Sequence, residues 1–256
     1  MTDILMPNIK RIGYIKMSMH RILTRYDSDI VCLIVILILS GCNKAPEDMV
    51  LAPEGSFIMG SAIQGHGGAQ DEGQGKRVFV KVFYIDKFEV TNEAYKQFIT
   101  QTKHREPKNW TVYGYKEEEK KHPVVFVSFD DALEYCKWSG KRLPTEEEWE
   151  KAARGTDGRI YPWGNEFDLS KANTSLSGIV GTTKVGAYEN GRGPYGIYDM
   201  AGNVWEWTTS DYNDKGKVVR GGSWGLSHRF AKTFSRMGYN PDVGINNLGF
   251  RCAKDV

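Results

Sequence analysis

Residues 200–207 read Met200-Ala201-Gly202-Asn203-Val204-Trp205-Glu206-Trp207. Within this stretch a glycine precedes two tryptophans that flank a carboxylate. The same two residue types stand out across the chain, which holds 28 Gly and 7 Trp among 256 residues. Many glycines mean many backbone positions with unusual dihedrals, and many tryptophans mean large rings to pin them. The reading is a compact, loop-rich domain with no internal repeat. Working backwards from this stretch, three short helices are expected, each opened by a hydroxyl residue able to cap free N–H groups. Thr91 starts one that buries Ala94, Tyr95 and Phe98, and Ser128 starts one that buries Phe129, Ala132, Leu133 and Cys136. Thr145-Glu146-Glu147-Glu148 is a capping box opening a third, with Trp149, Ala152 and Ala153 inward.

Strand-like alternation occupies Ser56–Gly60 and Arg77–Ile85. The glycine-rich loop Gly65–Gly75 between them contains no Gly-Lys-Ser/Thr and is not a phosphate cradle. Beyond Gly155, glycine and proline recur too often for long elements, so only short strands such as Lys217–Arg220 and Gly249–Ala253 are expected. The charge run at residues 116–121 reads as a solvated loop.

Charge narrows the function classes. The formal net charge is +2, from 34 Lys+Arg against 32 Asp+Glu. Residues 1–41 hold five basic and three acidic side chains, which leaves 29 of each sign in residues 42–256. A neutral body lacks the clustered Lys and Arg that tracking a phosphate backbone requires, so nucleic acid is not an expected partner. A hydrophobic content of 40% with 26% charged is that of a soluble globular domain.

The front of the chain reads as an address. Ile30–Leu39 is an unbroken apolar run of 10, against the about 20 residues of a spanning helix. Basic residues precede it and small ones follow, the layout of a signal peptide. Leu39-Ser40-Gly41-Cys42 resembles the lipobox of bacterial lipoproteins, in which the leader is cut before a cysteine that carries a diacylglycerol. This assigns 1–41 to a signal peptide, 42–48 to a tether and 49–256 to the folded domain. Lipidated Cys42 would supply membrane anchoring at the cell envelope, facing periplasm or exterior. The alternative is an incidental thiol behind a hydrophobic start. Asp27 and Asp29 sit where such leaders prefer positive charge, and Met17 or Met19 is an alternative first residue.

Four cysteines occur, Cys32 and Cys42 in the leader region and Cys136 and Cys252 in the body. An oxidising compartment favours a bridge between the last two, and two buried free thiols are the other reading. No Cys-x-x-Cys occurs, and His20, His66, His104, His122 and His228 show no ligand-like spacing.

An ordered set of segments is similar to the formylglycine-generating enzyme, or sulfatase-modifying factor, family. It comprises Phe57–Gly60, Phe88–Tyr95, Pro123–Ser128, Gly140–Glu150, Tyr161–Gly164, Met200–Trp207, Arg220–Trp224 and Asn247–Cys252, and covers nearly all of residues 50–253. The resemblance implies an α+β, loop-rich, C-type-lectin-like variant fold. It also implies a disulfide between Cys136 and Cys252, at positions bridged in some members. Enzymatic members oxidise a sulfatase cysteine with O2, using two copper(I)-binding cysteines shortly after the Gly-Gly-Ser-aromatic motif. Here that stretch, Trp224–Ala231, has no cysteine. Copper(I) and thiol-redox chemistry both need soft thiolates, which Ser227 and His228 do not replace.

Calcium is implied by the resemblance at Asp199, Gly202, Val204 and Glu206, two carboxylates and two backbone carbonyls. The other reading of Glu206 is a pairing with an arginine beneath the tryptophans. A second family calcium site matches Asn173 and Thr174 but lacks an acidic counterpart in Ser175–Gly181. Arg220, Arg236 and Arg251 are expected to stitch loops together, and Ser223 to lie near the family's active-site floor with no visible base. The expectation is thus a lipid-anchored, non-copper accessory or binding module for a protein or peptide. Related folds serve surface display proteins in which the segment matching Trp224–Asn247 varies with the ligand. The competing expectation is an oxidase that generates formylglycine without paired cysteines.

Overall fold

Hydroxyl caps set the helices. Thr91 Oγ1 accepts from the Ala94 amide at the start of α1 (Asn92–Thr102). Ser128 with Asp131, and Thr145 with Glu148, form reciprocal capping boxes opening α3 (Phe129–Trp138) and α4 (Glu146–Arg154). One helix was missed by the capping signal: α2 (Lys108–Tyr113) starts after Pro107, which offers no side-chain cap. The computed structural model describes residues 46–61 and 75–256. The leader, Cys42, most of the tether and all but Gly75 of the glycine-rich loop lie outside the described residues.

Nine strands form three sheets among the described residues. β1 (Met49–Ala52), β4 (Phe83–Asp86) and β9 (Ala253–Asp255) make an antiparallel sheet in the order β1-β4-β9, which brings the two ends of the domain together. β2 (Gly55–Met59) and β3 (Lys76–Val80) pair as an antiparallel ribbon. β7 (Arg236–Tyr239), β6 (Gly216–Arg220), β5 (Trp205–Asn213) and β8 (Leu248–Gly249) form a mixed sheet in that order, with β5 and β8 parallel.

Three expectations need correction. Gly249–Ala253 is not one strand but the end of β8 and the start of β9, which belong to different sheets. Arg77–Ile85 is not one strand but β3 and β4, which belong to different sheets. The expectation of only short strands beyond Gly155 fails at β5, which spans nine residues. Its register against β6 shifts twice, so the glycine-poor run Trp205–Asn213 stays extended while irregularities absorb the mismatch.

The core has two main parts. Tyr95, Phe98, Tyr135, Trp205, Trp207 and Phe250 fill one, between α1, α3 and the mixed sheet. Phe57, Phe83, Ile85, Trp149, Ile197 and Met200 fill the other, beneath α4. Cys136 of α3 is bonded to Cys252, closing 116 residues of sequence separation with a Cα–Cα distance of 5.7 Å. Cross-links of this span restrict the unfolded chain by about 4–5 kcal/mol in the loop-entropy account. No helix among the described residues is long and apolar enough to cross a membrane.

Candidate functional site

The stretch Asp199–Trp207 turns sharply before it becomes β5. Asp199, Gly202 and Asn203 all have positive φ, at 56°, 85° and 58°. Gly202 is required, because a Cβ there would lie 2.3 Å from the Asn173 carbonyl oxygen. Asn203 ties the turn to its surroundings. Its Nδ2 donates to both Glu89 oxygens at 3.1 Å, and its Oδ1 accepts from the Thr183 amide at 2.9 Å. Its carbonyl accepts from the Trp224 amide, which fixes the turn beneath the Gly-Gly-Ser-Trp segment.

Glu206, wholly buried, is built around an arginine. Arg251 donates to it twice at 2.7 Å, from Nε and from Nη2, and Trp149 Nε1 donates to Oε2 at 2.7 Å. This is the arginine pairing that the sequence left open. Arg251 also donates to the carbonyls of Tyr198 and Asp86, so the guanidinium stitches three segments. Arg220 does the same between the Glu150 carboxylate and the carbonyls of Thr233 and Phe234, and Arg236 holds Glu146. Asn173 and Thr174 bond locally, Asn173 to Ser177 and Gly181, and Thr174 as the cap of the turn Ser175–Ser177.

Glu89 and Asp199 complete this cluster. Burial, reinforced by the charges of Asp199 and Glu206, holds the Glu89 carboxyl well above the usual carboxylate range. Burial likewise pushes Asp199 up to about 6, although the Gly186 amide donates to its Oδ2 at 2.6 Å. Three buried carboxylates thus face one guanidinium. That surplus of negative oxygen suits a hard cation in charge. The arrangement is less open: Arg251 and Trp149 occupy three of the four lone-pair directions of Glu206, and no three Asp, Glu, His or Cys groups among the described residues converge as a metal-holding set.

A separate groove of about 380 Å³ lies on the other side of Trp224. Asn92 and His122 line it, with Asn109, Trp110, Tyr113 and Tyr115 from the α2 segment, and Phe126, Val180, Trp224 and Asn246 close it. Ser223 is buried, and its Oγ accepts from Asn247 Nδ2 at 3.0 Å, a bond in which the partner is a donor and not a base. Asn92 Oδ1, Asn109 Oδ1 and Asn247 Oδ1 are buried without a hydrogen-bond partner. Burial lowers the His122 pKa, and its Nδ1 lies 3.0 Å from Thr182 Oγ1. Tyr113 and Val180 are 76% and 92% exposed at the groove, beside exposed Val112 and Ile179.

Sequence reasoning missed this wall. The run at 116–121 is largely solvated, as expected, but Lys116 and Glu119 also border the groove. The only signal was an aromatic-rich stretch behind a single asparagine, Asn109–Tyr115, with no motif attached.

The sulfatase-modifying factor enzyme 1-like domain matches residues 38–256. The chain belongs to this family. It is 35% identical to the inactive Cα-formylglycine-generating enzyme 2 of Bos taurus, over 86% of this chain and 94% of that protein. It is also 30% identical to the formylglycine-generating enzyme of Bos taurus, over 84% of this chain and 76% of that one. The solved structure of PvdO from Pseudomonas aeruginosa superposes with a TM-score of 0.71 at 27% identity, covering 83% of this chain and 97% of PvdO. Treponema denticola variable protein 1 shares the fold, with a TM-score of 0.67 at 23% identity. The sulfatase-modifying-factor fold expected from the motif set is therefore that of this chain.

Proposed function

We propose that this sulfatase-modifying-factor domain is an exported, lipid-anchored binding module that holds an extended protein or peptide segment in the groove beside Trp224. One observation carries the reading: the groove pairs unpartnered buried amide oxygens with an exposed aromatic and aliphatic rim, and the sequence beneath it contains no thiol. The exposed rings and aliphatic side chains of the rim supply the apolar contact that a bound extended segment would bury. The resemblance to a relative named as an inactive enzyme favours the same side.

The route to formylglycine needs copper(I) thiolates, and Trp224–Ala231 offers only a serine and a histidine. Calcium belongs to the proposal as a structural ion at Asp199, Gly202, Val204 and Glu206. The buried carboxyl oxygens of Asp199 and Glu206 support it, with Glu206 shared between the ion and Arg251.

Incubating the protein with copper and a Cys-x-Pro-x-Arg peptide tests the choice between binding and oxidation. The expected outcome is saturable peptide binding without aldehyde formation, read by mass spectrometry. Aldehyde product overturns the binding-module reading in favour of the oxidase. For the anchor, a Cys42→Ser chain is expected to leave the membrane fraction, and its retention there refutes lipidation at Cys42.

A further inference from the structure

A second cavity, of about 730 Å³, shares no lining residue with the groove beside Trp224. Its size is that of a small-molecule site. Its walls are of two kinds. Tyr161, Phe167 and Phe234 present rings, while Arg154, Arg229 and Lys232 present cations.

The rings are held in place. Tyr161 stacks on Trp163 with centroids 5.4 Å apart at 9°, and Phe167 packs on His228 at 4.6 Å. Phe234 lies under two of the cations, 5.3 Å from the Arg154 guanidinium and 5.4 Å from Lys232 Nζ. These groups come from two sequence-distant segments, residues 154–167 and 228–234, fastened where the Thr233 amide donates to the Ile160 carbonyl, its Oγ1 donates to the Arg159 carbonyl, and Tyr161 OH faces the His228 carbonyl.

Arg154 is paired with Glu150 and Lys232 is also engaged, so Arg229 is the cation left facing the cavity. Asp157 is taken by Arg159, whose Nε and Nη2 donate to its two oxygens. Deep in the protein Glu150 answers both Arg154 and Arg220, with Glu146 also 4.0 Å from Arg220. The Arg154 Nε–H is buried with no acceptor. Arg229 is exposed and makes no ion pair among the described residues. Glu166 is the one lining carboxylate outside an ion pair among them, and it is solvent-exposed, where its repulsion is screened.

We propose that this cavity is a binding site for a small aromatic carboxylate, its ring against Phe167 and Phe234 and its carboxylate on Arg229. A planar guanidinium fork matches a carboxylate in two parallel bonds, and the flanking rings supply apolar contact in the same volume. The site is independent of the peptide-groove proposal, because none of its residues contributes to that groove.

The test titrates phenylacetate and its neutral isostere phenylacetamide into the full-length chain, followed by ligand-observed NMR. Phenylacetate is expected to bind saturably and roughly tenfold more tightly than the amide, since only the acid can form charge-assisted bonds. Arg229→Gln, an exposed substitution, is expected to weaken phenylacetate roughly tenfold and leave phenylacetamide unchanged. Phe167→Leu is expected to weaken both ligands, with circular dichroism checking that the fold is intact. Equal affinity for acid and amide, no effect of Arg229→Gln on phenylacetate, or absence of saturable binding would each overturn the proposal. Peptide binding in the groove can succeed or fail in the same preparation without altering these outcomes.

Discussion

Two neighbouring regions on either side of Trp224 are built on opposite terms. Around Glu206, the guanidinium of Arg251 and the indole of Trp149 answer the carboxylate, and all three side chains are wholly buried. In the groove, the amide oxygens of Asn92 and Asn109 have no partner, and Tyr113 and Val180 stand out into solvent. The first region is closed by its own side chains; the second, on the reading proposed above, is completed by a bound segment. The difference separates a part that closes itself from a part that stays open. The segments that match the family frame the closed knot, whereas the stretch that would carry copper thiolates has turned into an ordinary turn, His228–Phe230.

Breaking the knot has the largest expected effect. Arg251→Met removes the one cation that faces Glu206, Glu89 and Asp199 among the described residues and leaves buried carboxylates uncompensated. Loss of one partner of a buried ion pair costs about 3–5 kcal/mol, and the extra acids place this case at the upper end. Chemical denaturation is expected to show that loss or an unfolded chain. A loss below about 1 kcal/mol would mean that the knot is not what closes this region.

Legibility in the sequence follows the same division. The three capped helices could be read because Thr91, Ser128 and Thr145 act locally, each through an amide three residues on. The closed knot was half legible. Glu206 stood out between two tryptophans, and an arginine partner was the alternative to calcium there, but which arginine depends on a contact across 45 residues. Strand β5 was missed because glycine-rich flanks say nothing about the nine residues between them. The groove was least legible of all. Asn92, Asn109 and His122 become one wall only through the packing of α1 against the α2 segment, and no periodicity encodes that meeting.

Acidity probes the knot more gently. Asp199 and Glu89 have carboxyl pKa values raised by burial, so the folded state holds protons that the unfolded chain releases. Their contribution is fully present below the unfolded carboxylate range and is lost as pH rises through the folded value, about 6 for Asp199. In EDTA, thermal stability is therefore expected to fall as pH is raised from 5 to 7. Asp199→Asn, which cannot ionise, is expected to flatten that slope, and calcium is expected to suppress it by binding the ionised carboxylates. A slope that is unchanged in Asp199→Asn would locate the titration elsewhere. Asp131, Asp157 and Asp255 have lowered pKa values and lose stability only as pH falls through their own lower range, outside this window.

The smallest effect on stability should come from the groove, and that is what makes it diagnostic. Tyr113 is 76% exposed, and its removal takes away little that the fold needs. Tyr113→Ala is expected to change unfolding stability by no more than about 0.5 kcal/mol. The same ring would cover a peptide lying along Asn92 and Asn109, and truncating an aromatic anchor at an interface costs upwards of about 1 kcal/mol of binding. Affinity for the Cys-x-Pro-x-Arg peptide is thus expected to drop roughly fivefold or more while the denaturation curve stays in place. Should stability fall and binding persist, the rim would belong to the fold after all, and the contrast between a closed knot and an open groove would not hold.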